Sequence, residues 1–157
     1  MKESALWSSL KDSGQLPFHV RIESPASPGV PDVYFSLNNG ISGWLELKVV
    51  PDTHKKILTQ GTGTGQLRPL QVLWARQASE KNIFTNVLLF VQKRAILLSG
   101  RDVFPLLGAP IDQVLAKALW VGSTSPRERW NGLQEKLDKH GRETIIRLAA
   151  EGSERVG

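Results

Sequence analysis

The 157-residue chain contains no cysteine. That excludes a disulfide framework and any thiolate-ligated zinc or iron–sulfur centre, so a metal would need oxygen or imidazole ligands. Histidine is scarce too: His19, His54 and His140 are scattered and show neither H-x-H nor H-E-x-x-H spacing, which argues against a histidine cage. Long apolar runs are missing. The best candidate, VLLFVQKRAILL, is interrupted at Gln92-Lys93-Arg94, well short of the ~18–20 residues that cross a bilayer. The opening MKESALWSSLKDSG has no apolar stretch followed by a small-residue cleavage site. No internal repeat stands out. These absences lead us to expect a protein that works in the cytoplasm without a membrane partner.

What is present is ordinary for a globular chain: 40% hydrophobic and 22% charged residues, enough to build a core in a single domain. The net charge of +5 is unevenly placed. Residues 1–47 carry three basic and five acidic side chains, net −2, whereas residues 48–101 carry nine basic and two acidic, net +7. Residues 102–126 and 127–157 are close to neutral, at −1 and +1. A concentrated basic segment suits a polyanion, because each neutralised phosphate releases counterions. Carboxylates next to it would gain nothing for simple phosphate binding, but a metal-dependent phosphodiesterase requires both.

Apolar spacing predicts a helix over 2–12, stopped by Gly14. Strands follow at 18–23 and 30–37 around the Pro/Gly loop 24–29, and a third at 41–50 after the hairpin turn Asn38-Asn39-Gly40. The Pro-, Thr- and Gly-rich stretch 51–67, with GTGTG at 61–65, reads as a mobile loop and lacks the lysine register of a P-loop. Pro69 opens a helix through Leu70, Leu73, Trp74 and Ala78, and strands are predicted at 86–92 and 94–99. This order implies one mixed sheet with helices packed on it. Beyond it, helices are expected at 111–119, 127–140 and 142–150, covering the sheet or a partner protomer. Among the five tryptophans, which are potential base-stacking platforms, Trp44 and Trp74 fall in apolar patterns that read as core.

The chemistry is concentrated in GVPDVYFSLNNGISGWLELKVV (29–50). Glu46 and Lys48 alternate on one face of a strand while Leu45, Leu47 and Val49 face the other way. A one-residue slip would put both charges in the core, so the register is fixed. Hairpin strands lie ~4.8 Å apart, which lets Asp32 meet Glu46 over one divalent cation. Two carboxylates, a main-chain carbonyl and waters form a hard oxygen site for Mg²⁺ or Mn²⁺. Lys48 would orient or deprotonate the attacking water and stabilise developing anionic charge.

Pro31-Asp32, a spacer, and Glu46-Leu47-Lys48 resemble the signature of the PD-(D/E)XK nuclease superfamily, with wording similar to VRR-NUC-type and phage Holliday junction resolvase-like members. The resemblance spans residues 1–92. It implies a restriction-endonuclease-like α/β core in αβββαβ order over 1–100, with a C-terminal helical extension over 101–157 packed on the core or at a dimer interface. It further implies that Asp32, Glu46 and Lys48 are catalytic and that Asp32, Glu46 and the Leu47 carbonyl bind the metal. Two acids compete for a fourth position: Glu3 fits the helical position usual in resolvases, and Glu23 precedes Asp32 by nine residues. Gln71 matches the glutamine of the following helix. The expected activity is Mg²⁺-dependent DNA cleavage, structure-selective on branched DNA and by a homodimer, with Lys55, Lys56 and Arg68 holding the backbone. The alternatives are a sequence-specific restriction or homing endonuclease, and an inactive DNA-binding accessory module.

Overall fold

The computed structural model describes residues 1–22 and 28–156, with side chains as far as residue 152. Six strands form one mixed sheet in sequence order: β1 (Phe18–Arg21), β2 (Val33–Ser36), β3 (Ser42–Val49), β4 (Thr85–Val91), β5 (Arg94–Ser99) and β6 (Trp120–Val121). All neighbours are antiparallel except β3 and β4, which run parallel and are joined by the crossover helix α2 (Pro69–Glu80). A parallel central strand is covered on both faces and should read as a continuous apolar run. Residues 87–91 of β4 do so, and all seven residues of the strand, with the polar Thr85 and Asn86, are buried. The αβββαββ order expected from the sequence is therefore present.

Strand alternation divides the core. Val33, Phe35, Leu45 and Leu47 face one side and pack with Leu6 and Leu10 of α1 (Glu3–Asp12) and with Leu133 and Leu137 of α5 (Leu133–Val156). Val87, Leu89, Ile96 and Leu98 face the other and pack beneath Val72 of α2, Val103 of α3 (Gly100–Leu106) and Val114 of α4 (Ile111–Lys117). Each fully buried leucine or isoleucine contributes ~1.5–3 kcal/mol relative to exposure, and these two layers hold the sheet rigid beneath the candidate site.

Four elements differ from the sequence expectation, the first being α3, which falls where no element was expected. Trp120–Val121 leaves the end of the expected 111–119 helix and adds a short strand, its indole Nε1 donating to the Asn131 carbonyl (3.0 Å). Residues past 100 thus join the sheet as well as packing helices on it. The expected helices at 127–140 and 142–150 merge into one, α5, which begins only at Leu133, residues 127–132 forming turns, and runs through Gly141. That glycine is there for contact: a Cβ on it would come within 2.3 Å of the Ile41 side chain, so helix and sheet meet closely where a helix stop was expected. The GTGTG segment is tied down by Gly61 N–H to Leu67 O (2.9 Å), Leu67 N–H to Thr59 O (2.9 Å) and Gly63 N–H to the Gln66 side-chain oxygen (2.9 Å). Gly65 has φ +74°, and a Cβ there would strike the Val49 carbonyl at 2.8 Å, which glycine alone accommodates without strain.

Candidate active site

β2 and β3 pair only as far as Val33 and Leu45. Beyond that point β3 continues alone on its β2 side, and Asp32, the residue just before β2, fills the opening. Its Oδ2 accepts a hydrogen bond from the Leu47 N–H at 2.9 Å. On an extended strand the N–H and C=O of one residue leave from the same edge, so the Leu47 carbonyl also opens toward Asp32. A gap in the sheet thereby collects a carboxylate and a main-chain oxygen.

On the α2-facing side of β3, Glu46 and Lys48 are 4% and 8% exposed. Lys48 Nζ lies 3.8 Å from Glu46 Oε1 and 3.9 Å from Glu3 Oε1. Glu3 arrives on the first turn of α1, which packs on the opposite face through Leu6 and Leu10. Gln71 binds the same oxygen of Glu46, its Nε2 donating to Oε1 at 2.7 Å. That amide is itself set by the helix start, because Gln71 Oε1 accepts the Arg68 N–H at 2.8 Å, satisfying a donor that the first turn leaves free. Glu46 Oε2 is buried and has no hydrogen-bond partner.

A buried carboxylate with one empty oxygen is electrostatically costly. Burial and the neighbouring Asp32 charge, opposed by Lys48, push the Glu46 carboxyl up to about 9, and a proton on it would be shared with Asp32; with both groups ionised the two carboxylates have no donor between them. Burial also raises Glu3, opposed by Lys48 and reinforced by Asp32. The Asp32–Glu46 pair is thus short of positive charge at the place where Oε2 is unsatisfied. Among the described residues no three His, Asp or Glu side chains form a closed metal cage. Two carboxylates plus a carbonyl nevertheless suit Mg²⁺, which commonly keeps several waters and takes one or two protein carboxylates.

A cleft of about 800 Å³ opens on the Lys48 side. It is lined by Glu3, Lys48 and Arg68, by the Gly-rich loop, and by two lysines not singled out from the sequence, Lys2 and Lys93. Lys93 is placed by a two-residue β4–β5 turn in which Gln92 and Lys93 have φ of 52° and 65°, the geometry of a type I′ hairpin. Asp52 fixes that turn by accepting the Gln92 N–H at 2.8 Å. No Asn-Gly or Asp-Gly marks it, so the lysine's position was invisible in the sequence.

The structure therefore brings Asp32, Glu46, Leu47, Lys48, Glu3 and Gln71 together, and Arg68 lines the adjoining cleft. Lys55 and Lys56 are exposed and do not line it; after Pro51 and Asp52, which do, the chain leaves the cleft and buries Ile57 and Leu58 in the α2-side core. Glu23 lies outside the described residues. Trp44 and Trp74, expected in the core, are half-buried. Compared with known proteins, the chain matches no family model and no curated protein. No helix among the described residues is long and apolar enough to cross a membrane.

Proposed function

We propose that the chain is a metal-dependent endodeoxyribonuclease of the PD-(D/E)XK kind with a restriction-endonuclease-like core. The observation that carries this reading is the Asp32–Glu46 pair: two adjacent carboxylates that, when ionised, leave a buried Glu46 oxygen without a hydrogen-bond donor, beside a lysine at 3.8 Å. An ion pair built for stability would satisfy each oxygen. Here two like charges adjoin and lone pairs go unmatched, which a hard cation would neutralise and coordinate.

Asp32, Glu46 and the Leu47 carbonyl would hold Mg²⁺, with Mn²⁺ as a substitute. When bound, the cation supplies Lewis-acid polarisation of the phosphate and a more acidic water. The chain's own groups do the rest. Gln71 fixes the Glu46 carboxylate through Oε1, and Oε2 would be free to ligate the cation. Lys48 stands between Glu46 and Glu3, positioned to orient the attacking water and to stabilise charge developing on the phosphate. Glu3, on the same cluster, is the better-supported fourth acid. Arg68, Lys2 and Lys93 around the cleft would grip flanking phosphates and supply affinity that falls with salt.

The DNA substrate is expected to be branched, cut by a homodimer in the cytoplasm of the cell or, for a phage-encoded enzyme, of its host. Incubation of a fluorescent four-way junction and of its linear duplex arms with Mg²⁺ tests the reading. Wild type should cut, favouring the junction, while Asp32→Asn and Lys48→Ala should lose at least about 10²-fold in rate. Equal rates for all three proteins would contradict it.

A further inference from the structure

The α2-side core extends under β4 and β5 but stops short of β1 and β2, none of whose residues belong to it. On that side of the sheet the pairing aligns Phe18 with Ser36, Val20 with Tyr34, and Tyr34 with Trp44. Phe18 is 55% and Val20 41% exposed, and Tyr34 and Trp44 are half-buried. Trp74, reaching over from α2, completes a row of rings. Tyr34 and Trp44 meet edge-to-face at 5.2 Å, and Trp44 and Trp74 at 5.6 Å. An antiparallel sheet normally puts polar side chains on an uncovered face. Among the described residues, this partly open face carries aromatic rings instead.

Its position matters more than its composition. Trp44 is one same-face step, about 7 Å, from Glu46 along β3. Trp74 follows Gln71 by three residues, on the same side of α2, so each ring is a neighbour of a residue in the carboxylate cluster. Along β3 the order on this face is Trp44, Glu46, Lys48 and then the cationic cleft. A polynucleotide with its scissile phosphate at Glu46 and one flank in the cleft would lay its other flank over Trp44, Tyr34 and Trp74.

Aromatic rings bind nucleic acid by stacking on the faces of bases, and in a duplex those faces are already stacked on their neighbours. We infer that the Tyr34–Trp44–Trp74 face is a base-stacking platform for unpaired nucleotides immediately flanking the cut site. The substrate class is then DNA with a single-stranded segment beside the scissile phosphate, such as a flap, a gap or an opened branch point. This rests on the nuclease reading for the location of the cut, but the binding itself needs no catalysis. Continuity with the carboxylate cluster favours a nucleic acid over a protein partner or a second copy of the chain.

The test is fluorescence anisotropy in EDTA with fluorescein-labelled dT20 and a blunt 20-base-pair duplex, using wild type, Trp74→Ala, Tyr34→Ala and Trp74→Phe. Wild type should bind dT20 at least about tenfold more tightly than the duplex. Either alanine substitution should weaken dT20 by about tenfold and shift the duplex less than twofold, with Trp74→Phe restoring most of the loss. Unchanged dT20 affinity in both alanine variants overturns the inference, as does an equal loss for both ligands. So does sedimentation showing a dimer that both alanine substitutions dissociate without affecting dT20. Incubating the wild type with Mg²⁺ and a flapped duplex keeps the two readings apart. Cleavage without Trp74-dependent binding removes the platform alone, and Trp74-dependent binding without cleavage removes the nuclease reading alone.

Discussion

Gln71 holds Glu46 by a 2.7 Å hydrogen bond to Oε1, and the start of α2 holds Gln71 through the Arg68 N–H. One side chain thus closes a helix end and aims a carboxylate. Partners of this kind orient metal-binding carboxylates, and their loss typically costs 10–100-fold in metal affinity or activity. Gln71→Ala should therefore lower the DNA cleavage rate by that factor and raise the Mg²⁺ concentration at half-maximal rate, while the melting temperature falls by no more than a few degrees. A rate unchanged within twofold would remove Gln71 from the site.

The raised Glu46 carboxyl makes metal-free stability depend on pH. Its ordinary value is 4.5 and its folded value about 9, so between those limits the folded chain holds a proton that the unfolded chain has released. Stability then falls as pH rises through that window. Glu46→Gln removes the titration and should flatten the profile, raising the melting temperature at pH 8 by about 2–4 °C, equivalent to ~1 kcal/mol for a chain of this size. Thermal scans in EDTA from pH 5 to 9 measure this, with a steeper profile in the variant as the opposing result. Mn²⁺ should stabilise wild type more at pH 8 than at pH 5, because binding must displace that proton.

Much of this was legible in the chain itself. Alternation placed Glu46 and Lys48 on one face, and spacing put Asp32 within reach of Glu46, because strand geometry leaves few other arrangements. Gln71 was legible only through the family resemblance, since by itself it reads as a helix-start polar residue, and its hold on Glu46 is a contact across twenty-five positions of sequence. Lys2 and Lys93 escaped notice because a chain end and a glycine-free I′ turn carry no pattern. Trp44 and Trp74 read as core because apolar periodicity reports burial on average and says nothing of which part of a face lacks a helix. Gly141 read as a stop because close helix–sheet contact leaves the same mark on the sequence.

The two readings of Gly141 give opposite predictions. At an ordinary exposed helical position Gly→Ala stabilises by about 1 kcal/mol. Here the added methyl meets Ile41 and Phe84, and overpacking of this kind costs about 1–3 kcal/mol. Gly141→Ala should lower the urea midpoint without changing the slope of the transition. A raised midpoint would show that α5 does not rest against the sheet at this residue.

Salt dependence separates the lysines. If Lys93 neutralises one phosphate, Lys93→Ala should reduce the slope of log affinity against log salt by ~0.9 on duplex DNA. Lys55→Ala and Lys56→Ala should leave that slope unchanged, since neither lines the cleft. Binding isotherms in EDTA between 50 and 200 mM salt supply the comparison, and the reverse ranking would move the DNA to the other side of the loop.

Calorimetric titration of Mn²⁺ into metal-free protein at pH 8 goes to the central claim, that Asp32 and Glu46 together hold a divalent cation. The account predicts a binding event in wild type that releases a proton, visible as a heat that changes with the ionisation enthalpy of the buffer, and that disappears in both Asp32→Asn and Glu46→Gln. Binding that survives both substitutions, or no binding by wild type, would contradict it.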